Sequence, residues 1–177
     1  VAAYAYGRLG VWIPVLGIDA MMGLTQAITA WPVGAAVANG YPVDELAGPM
    51  ERYGSGIICM TPIQLRHLLA RLPEGFAPQP GWMITTGGSA LPLSVAREAR
   101  LRLTPDIRVI YGATEAGLAA TGHAAGLETA PDMIGHVPPG AEVLVVDDDD
   151  RPAPPGGSGE LRIRGERTTL GYLDDPE

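Results

Sequence analysis

The sequence contains no lysine, and all 12 of its basic residues are arginines, against 20 Asp and Glu. The formal net charge of −8 is concentrated in the second half of the chain. Surfaces that bind nucleic acid need Lys and Arg to neutralise phosphates. This charge balance therefore argues against a nucleic-acid-binding protein.

Cysteine is almost absent as well. Cys59 is the single cysteine, so an intramolecular disulfide is impossible, and its apolar neighbours predict a buried thiol. The first residues, from Val1 to Tyr4, carry no signal-peptide pattern and no initiator Met. We expect a cytoplasmic protein whose given sequence does not begin at the natural start.

Long apolar runs are missing too, since none reaches the roughly 18 residues that a membrane-spanning helix needs. The run from Val11 to Ala38 comes nearest, but Asp19, Gln26 and Pro32 interrupt it. We therefore expect no transmembrane segment, and we predict a buried helix pair over this run.

What the sequence does have is enough apolar residues, 46%, for a substantial core. Their spacing predicts strands that alternate with helices of about ten residues, which implies a parallel sheet with right-handed crossovers. The predicted helices are one capped by Asp44, one that begins at Thr61-Pro62 and carries a leucine stripe, and one over 94–103. The predicted strands cover 57–60, 82–85 and 107–110.

The pattern changes near Pro131, beyond which Pro and Gly are frequent and no helical period is visible. Strands are predicted at 142–146 and 160–164, with Leu161 and Ile163 facing inward. Between them Asp147 to Asp150 lack the spacing of a calcium loop and predict a solvated turn. The expected fold is α/β over residues 1–130, with a mostly parallel sheet and flanking helices, followed by a small β-rich subdomain over 131–177.

Two loops follow predicted strands and carry residues suited to chemistry. The first, at 87–92, contains Gly87 and Gly88, which would let a flat ligand approach the backbone, and it precedes a helix whose N-terminus would favour an anion. The alternative is a tight glycine turn in which Ser94 only caps the helix.

The second loop, at 111–115, offers the aromatic face of Tyr111, the hydroxyl of Thr114 and the carboxylate of Glu115, a hard oxygen donor suited to Mg²⁺. The alternative is a surface turn in which Thr114 and Glu115 begin a helix. Ligands of open parallel sheets bind beyond the carboxyl ends of the strands, so two neighbouring strands would open both loops into one crevice. That combination suits a nucleotide with a metal ion.

Other sites are not indicated. The three histidines, His67, His123 and His136, show no metal-ligand spacing. The nucleophile elbow of Ser-His-Asp hydrolases is missing, since neither the glycine-rich stretch near Ser89 nor the one near Ser158 has the form Gly-x-Ser-x-Gly.

The order of the glycine-rich motifs resembles that of the adenylate-forming superfamily, which contains acyl- and aryl-CoA synthetases, luciferases and adenylation domains of nonribosomal peptide synthetases. The resemblance covers nearly the whole chain. It rests on Gly-Gly-Ser-Ala-Leu-Pro at 87–92, Tyr-Gly-Ala-Thr-Glu at 111–115, Gly-Glu-Leu at 159–161, and then Gly165 and Gly171-Tyr172.

The resemblance implies a role for each position of the two loops. ATP or AMP would be held by Gly88, Ser89, Ala90, Tyr111, Gly112 and Thr114. Thr114 and Glu115 would be catalytic, with Thr114 on the α-phosphate and Glu115 on Mg²⁺, and Gly87 and Ala113 would lie near the acyl pocket. The implied function is an AMP-forming acyl-CoA synthetase with a fatty or aryl carboxylic acid as substrate and coenzyme A as co-substrate.

The resemblance also implies parts that these residues do not contain. The family's phosphate loop with its Lys would precede Val1, a ribose-binding Asp would follow Glu177, and the catalytic Lys would belong to a C-terminal domain. We therefore expect a fragment of a longer enzyme that is inactive alone. The alternatives are an adenylation domain that loads a carrier protein and a non-catalytic ligand-binding α/β module.

Overall fold

The computed structural model describes residues 10–174, so the expectations about Val1 and Glu177 lie outside the described residues. A six-stranded sheet with strand order β2-β1-β3-β4-β5-β6 is followed by a two-stranded sheet, β7-β8. The helices are α1 (Met21–Ala30), α2 (Ala47–Tyr53), α3 (Pro62–Arg71) and α4 (Leu93–Arg102). The strands are β1 (Val11–Pro14), β2 (Ala36–Val37), β3 (Gly56–Met60), β4 (Trp82–Thr86), β5 (Asp106–Ala113), β6 (Gly117–His123), β7 (Ala141–Val146) and β8 (Glu160–Gly165).

The strands β1 to β5 pair in parallel, which confirms the predicted mostly parallel sheet with flanking helices. The last pair, β5 and β6, is antiparallel. The strand β6 was not predicted. It forms a hairpin with β5, so the chain turns back after the second loop instead of crossing over through a helix.

The best-predicted helix is α3, whose N-terminus is held by a capping box. The Gln64 backbone N–H donates to the Thr61 hydroxyl, and the Thr61 backbone N–H donates to the Gln64 side chain at 2.8 Å. Pro62 occupies the first helical position, where no N–H is needed. Leu65 and Leu68 are buried on the face predicted by the leucine stripe.

The main core lies between one face of the large sheet and α2, α3 and α4. Trp82 of β4 is buried there, and its indole N–H donates to the backbone carbonyl of Met50 in α2 at 3.0 Å. A smaller cluster on the opposite face joins Trp12 and Ile57 to Ala30 and Ala35.

The prediction of a buried helix pair over 11–38 is wrong. The segment forms the strand β1, the helix α1, a 3-10 turn at Trp31–Val33 and the short strand β2. A strand of four residues that is buried in a parallel sheet has no alternation of polar and apolar residues, so its pattern cannot be distinguished from that of a buried helix.

The predicted cap by Asp44 is also wrong. Asp44 lies in a 3-10 turn, Val43–Glu45, and α2 begins at Ala47 with no side-chain cap. Leu46, which precedes α2, already has helical backbone angles. The extended backbone that a capping residue normally adopts is therefore missing at this position.

The small sheet agrees with its prediction. In β8 the side chains of Leu161 and Ile163 are half-buried, while Arg162 and Arg164 are exposed. The loop after β7 begins with a turn in which an Asp147 carboxylate oxygen accepts hydrogen bonds from two backbone amides, those of Asp149 and Arg151. The small sheet is joined to the large one next to β6, where the backbone of His136 exchanges hydrogen bonds with that of Thr121.

The division of the chain at residue 130 stays a prediction. Within residues 10–174, no helix combines the length and the apolar character that crossing a membrane requires.

Candidate functional site

The two candidate loops lie side by side at the carboxyl ends of neighbouring strands. In the β4–β5 ladder, Thr86, the last residue of β4, pairs with Val109 of β5. The next residue, Gly87, is buried, and a Cβ there would lie 2.7 Å from Ile110 Cγ1 and 2.9 Å from the Ile110 carbonyl oxygen. The first loop is therefore in contact with the residue that immediately precedes Tyr111.

Residues 88–90 of the first loop face outward, whereas Leu91 is buried in the core. Gly88 has a φ of +85°, a left-handed conformation that favours glycine, and a Cβ there would still be 3.8 Å from Thr61 Cγ2. Ser89 and Ala90 are exposed. Space is therefore open above the loop.

The alternative in which Ser94 caps the helix is wrong, because the residue at the cap position of α4 is Pro92 and no side chain caps the helix. The first turn also contains no acidic residue. The partial positive charge at the N-terminus of α4 is therefore not offset from within its own first turn, and it favours an anion.

The second loop is the tip of the β5–β6 hairpin. Tyr111, Gly112 and Ala113 are the last residues of β5, and the pairing register shifts between Tyr111 and Gly112, which marks a β-bulge. A Cβ at Gly112 would lie 2.1 Å from the carbonyl oxygen of Gly117, so only glycine fits this bulge. Gly117 has a φ of +72°, as expected for a turn that leads into a second strand.

The hairpin also overturns the alternative in which Thr114 and Glu115 begin a helix, because β6 starts at Gly117. The ring of Tyr111 is 41% exposed, and Thr114 is exposed. An aromatic face and a hydroxyl are thus accessible beside the first loop.

Glu115 accepts two hydrogen bonds from the segment that follows β8. Its carboxylate oxygen Oε1 accepts a hydrogen bond from the Tyr172 hydroxyl at 2.6 Å, and its backbone carbonyl accepts one from the Thr169 amide at 2.7 Å. The Tyr172 hydrogen bond lowers the pKa of the Glu115 carboxyl, and the same contact raises the pKa of Tyr172. Glu115 is thus favoured in its ionised form.

The motif Gly171-Tyr172 is visible in the sequence, but no role in the site is predicted for it. No local pattern could connect Tyr172 to a residue 57 positions earlier.

The residues present fit a magnesium ion that is coordinated mainly by a bound substrate and by water, with few protein side chains. Mg²⁺ usually keeps several waters and binds one or two carboxylates together with substrate phosphates. Glu115 supplies one ionised carboxylate, and residues 10–174 contain no cluster of three or more His, Cys, Asp or Glu that would form a cage made by the protein alone.

These motifs and this topology agree with the result of comparison with known families. The family model described as "AMP-binding enzyme" matches residues 10–173. The chain belongs to the AMP-binding enzyme family. Its relatives include AMP ligases, CoA ligases and nonribosomal peptide synthetases.

Two curated relatives illustrate this range. The salicyl-AMP ligase / salicyl-S-ArCP synthetase of Mycobacterium tuberculosis is 33% identical over 160 residues, which cover 85% of this chain and 27% of the relative. The medium-chain fatty-acid–CoA ligase of Escherichia coli is 37% identical over 92 residues, which cover 51% of this chain and 16% of the relative. The chain thus matches about a quarter or less of the length of each.

A solved structure supports the same fold. The O-succinylbenzoate coenzyme A synthetase of Bacillus subtilis, in complex with ATP and a magnesium ion, superimposes with a TM-score of 0.83. The match covers 95% of this chain and 35% of the synthetase, at 18% sequence identity. At this identity the likeness concerns the fold.

Proposed function

We propose that the full-length protein is an AMP-forming ligase that activates a fatty or aryl carboxylic acid with ATP and transfers the acyl group to coenzyme A. In the first step a carboxylate oxygen attacks the α-phosphorus, the bond to the bridging oxygen breaks, and pyrophosphate leaves. In the second step the thiol sulfur attacks the acyl carbon and AMP leaves. The observation that carries this proposal is the contact between the first loop and the hairpin at the carboxyl ends of β4 and β5.

In this proposal the first loop forms the wall against which the adenine lies. The exposed residues Gly88, Ser89 and Ala90 leave room for a flat base, and the accessible ring of Tyr111 stacks on it. Gly112 keeps the backbone next to this ring free of a side chain. Gly87 and Ala113 would border the acyl pocket.

The hairpin turn acts on the phosphates. The Thr114 hydroxyl donates a hydrogen bond to an α-phosphate oxygen, where negative charge increases as the carboxylate attacks. Glu115 would hold Mg²⁺, which when bound neutralises charge on the phosphates. The N-terminus of α4 would add a partial positive charge, which acts in the same direction as the charge of Mg²⁺.

The ammonium group that the family uses at the phosphates cannot come from these residues, since the sequence contains no lysine. We propose that it comes from parts of the protein outside the 177 residues, as in the expected C-terminal domain. The 177 residues alone should therefore release no pyrophosphate from ATP with any acid. Turnover by them would contradict this assignment.

A carrier protein is a second candidate for the acceptor of the acyl group, and the name of one relative supports it. One relative that matches 85% of this chain carries the name salicyl-S-ArCP synthetase, which points to a carrier protein as acceptor. Coenzyme A is supported by the fatty-acid–CoA ligase that matches 51% of the chain. Incubating the acyl-adenylate with coenzyme A or with a carrier-protein thiol, and measuring which thioester forms, distinguishes the two.

The substitution Glu115→Gln tests the proposed chemistry in the full-length protein. It removes the negative charge and preserves the size of the side chain. Magnesium-dependent pyrophosphate release should fall by about 100-fold or more, the scale of losing one electrostatic contact in a transition state. The matched control is Glu142→Gln, because Glu142 is exposed on the small sheet and forms an ion pair with Arg164. This control should retain full activity.

A non-catalytic binding module predicts a different result for the same pair. Ligand affinity would then barely respond to Glu115→Gln, and neither the wild type nor the two variants would release pyrophosphate. That outcome would refute the proposed enzyme.

A further inference from the structure

The segment that follows β8 holds Glu115 at two points. The Thr169 amide donates to the Glu115 backbone carbonyl at 2.7 Å, and the Tyr172 hydroxyl donates to Oε1 of its carboxylate at 2.6 Å. The first contact fixes the main chain of the turn. The second fixes the direction of a side chain that would otherwise sample several rotamers at a surface position.

The path of this segment is built by local hydrogen bonds. Beyond β8, Gly165 and Thr168 bond to each other through a turn, and the Thr169 hydroxyl donates to the Gly171 carbonyl at 2.9 Å. Gly171 has a φ of +152°, a conformation that side chains disfavour, although no atom lies within 4 Å of a Cβ placed there. Tyr172 follows this glycine, and its hydroxyl reaches the hairpin at Glu115.

A third contact lies beside the first two. A Cβ at Gly117 would be 3.1 Å from Arg167 Cβ, so the segment also packs against the far side of the turn. The hairpin that carries Thr114 and Glu115 is thus held by the segment after β8 and not only by its own strands.

We propose that Tyr172 is a positioning residue that holds the Glu115 carboxylate in the orientation in which it meets the magnesium ion of the bound nucleotide. This inference rests on the proposed function. A carboxylate has about four lone-pair positions, and one hydrogen bond from Tyr172 leaves the others for the cation and its waters. Tyr172 itself touches neither the metal nor the nucleotide in this account.

Partners that orient a metal ligand typically change metal affinity by about 10- to 100-fold when they are removed. Tyr172 is 65% exposed, which places it at the lower end of this range. In Tyr172→Phe, the Mg²⁺ concentration for half-maximal ATP affinity should therefore rise about 10-fold. ATP affinity without Mg²⁺, and kcat at saturating Mg²⁺, should both stay close to wild type.

The experiment is a calorimetric titration of ATP into the full-length protein at a series of Mg²⁺ concentrations. Tyr41→Phe is the matched control, because it removes a hydroxyl that bonds to Tyr53 in a different, partly buried region of the fold. Gly171→Ala is the second variant, because it perturbs the backbone angle of the residue before Tyr172 without creating a clash. It should shift the Mg²⁺ dependence in the same direction as Tyr172→Phe.

Glu115→Gln in the same titration distinguishes the metal role of Glu115 from the positioning role of Tyr172. If this variant leaves the Mg²⁺ dependence unchanged, the proposed metal role of Glu115 fails. A different outcome is that Glu115→Gln raises the Mg²⁺ concentration for half-maximal ATP affinity while Tyr172→Phe behaves like Tyr41→Phe. In that case the positioning role is overturned and the proposed function survives.

Two further outcomes also overturn the positioning role. An equal loss of ATP affinity with and without Mg²⁺ in Tyr172→Phe would mean that the tyrosine only fastens the segment to the hairpin. Tighter Mg²⁺ binding in Tyr172→Phe would mean that it competes with the ion.

Discussion

Replacing Gly87 by alanine tests the contact that brings the two loops together. The backbone angles of Gly87 suit any residue, so the cost of Gly87→Ala comes only from what its methyl group meets. That methyl would lie 2.7 Å from Ile110 Cγ1 and 2.9 Å from the Ile110 carbonyl oxygen. The side chain can shift, but the carbonyl belongs to the neighbouring strand and cannot move without separating the ends of β4 and β5.

Overpacking of this kind typically costs about 1–3 kcal/mol. At the middle of that range, Gly87→Ala should lower the free energy of unfolding by about 2 kcal/mol. The free energy of unfolding is measured by denaturant titration of the full-length protein. ATP affinity should fall as well, because the displaced strand end carries Tyr111.

The matched control is Gly48→Ala. Gly48 lies in α2, has no atom within 4 Å of a placed Cβ and needs no unusual backbone angle. Pro49 follows directly, and a Cβ before a proline is disfavoured in a helix, so alanine there should change the free energy of unfolding by less than about 1 kcal/mol in either direction. The double variant Gly87→Ala, Ile110→Ala should show a favourable coupling of about 1 kcal/mol, because the smaller side chain removes one of the two contacts. If Gly87→Ala proves as harmless as Gly48→Ala, Gly87 does not touch Ile110 and the shared crevice loses its support.

Two more predictions concern the core around the site. Thr61→Ala removes the hydroxyl that accepts from the Gln64 amide and should destabilise the protein by about 1 kcal/mol, measured by denaturant titration, with Thr61→Ser as a control that keeps the capping hydroxyl. Burial raises the pKa of the Cys59 thiol from 9.0 to about 11, so the folded state holds this proton more tightly than the unfolded state. Stability should therefore be fully retained below pH 9 and decline as the pH rises from 9 to 11, by about 2–3 kcal/mol for this group. Cys59→Ala should lack this part of the decline, and identical pH profiles for the two proteins would contradict the burial of the thiol.

The parts of the fold that were predicted from sequence are those with a local signal. The helix α3 carries its signal in Thr61, Pro62 and the leucine stripe, and the buried strand β3 lies between the glycines at its start and Thr61-Pro62 at its end. In β8 the alternation of apolar and charged residues is visible directly, since Leu161 and Ile163 are separated by arginines. In each case the local preference and the tertiary environment agree.

The errors occur where the decisive contact is not local. The strand β1 has only four residues, and what makes it a strand is its place between β2 and β3. A Cβ at Gly56 would lie 1.9 Å from the Val11 carbonyl, so the glycine marks a close approach of two strands that no periodicity reveals.

The strand β6 was missed for a related reason. It is poor in β-branched residues, and its pairing depends on the left-handed turn at Gly117. A glycine shortly after a predicted strand was the available signal for a hairpin.

In the candidate site, the neighbouring positions of the two loops followed from the order of predicted strands, and the structure confirms this adjacency. The roles of Thr114 and Glu115 stay proposals. The contact between Glu115 and Tyr172 could not be predicted from the sequence. It depends on how the segment after β8 lies against the hairpin, and no pattern within the hairpin or within that segment indicates it.

A crystal structure of the full-length protein with ATP and Mg²⁺ tests the central claim most directly. The account predicts that the adenine lies between the first loop and the ring of Tyr111, with the phosphates at Thr114 and the ion on Glu115. A nucleotide bound elsewhere, with Tyr111 and Glu115 making no contact to it or to the ion, would contradict the account.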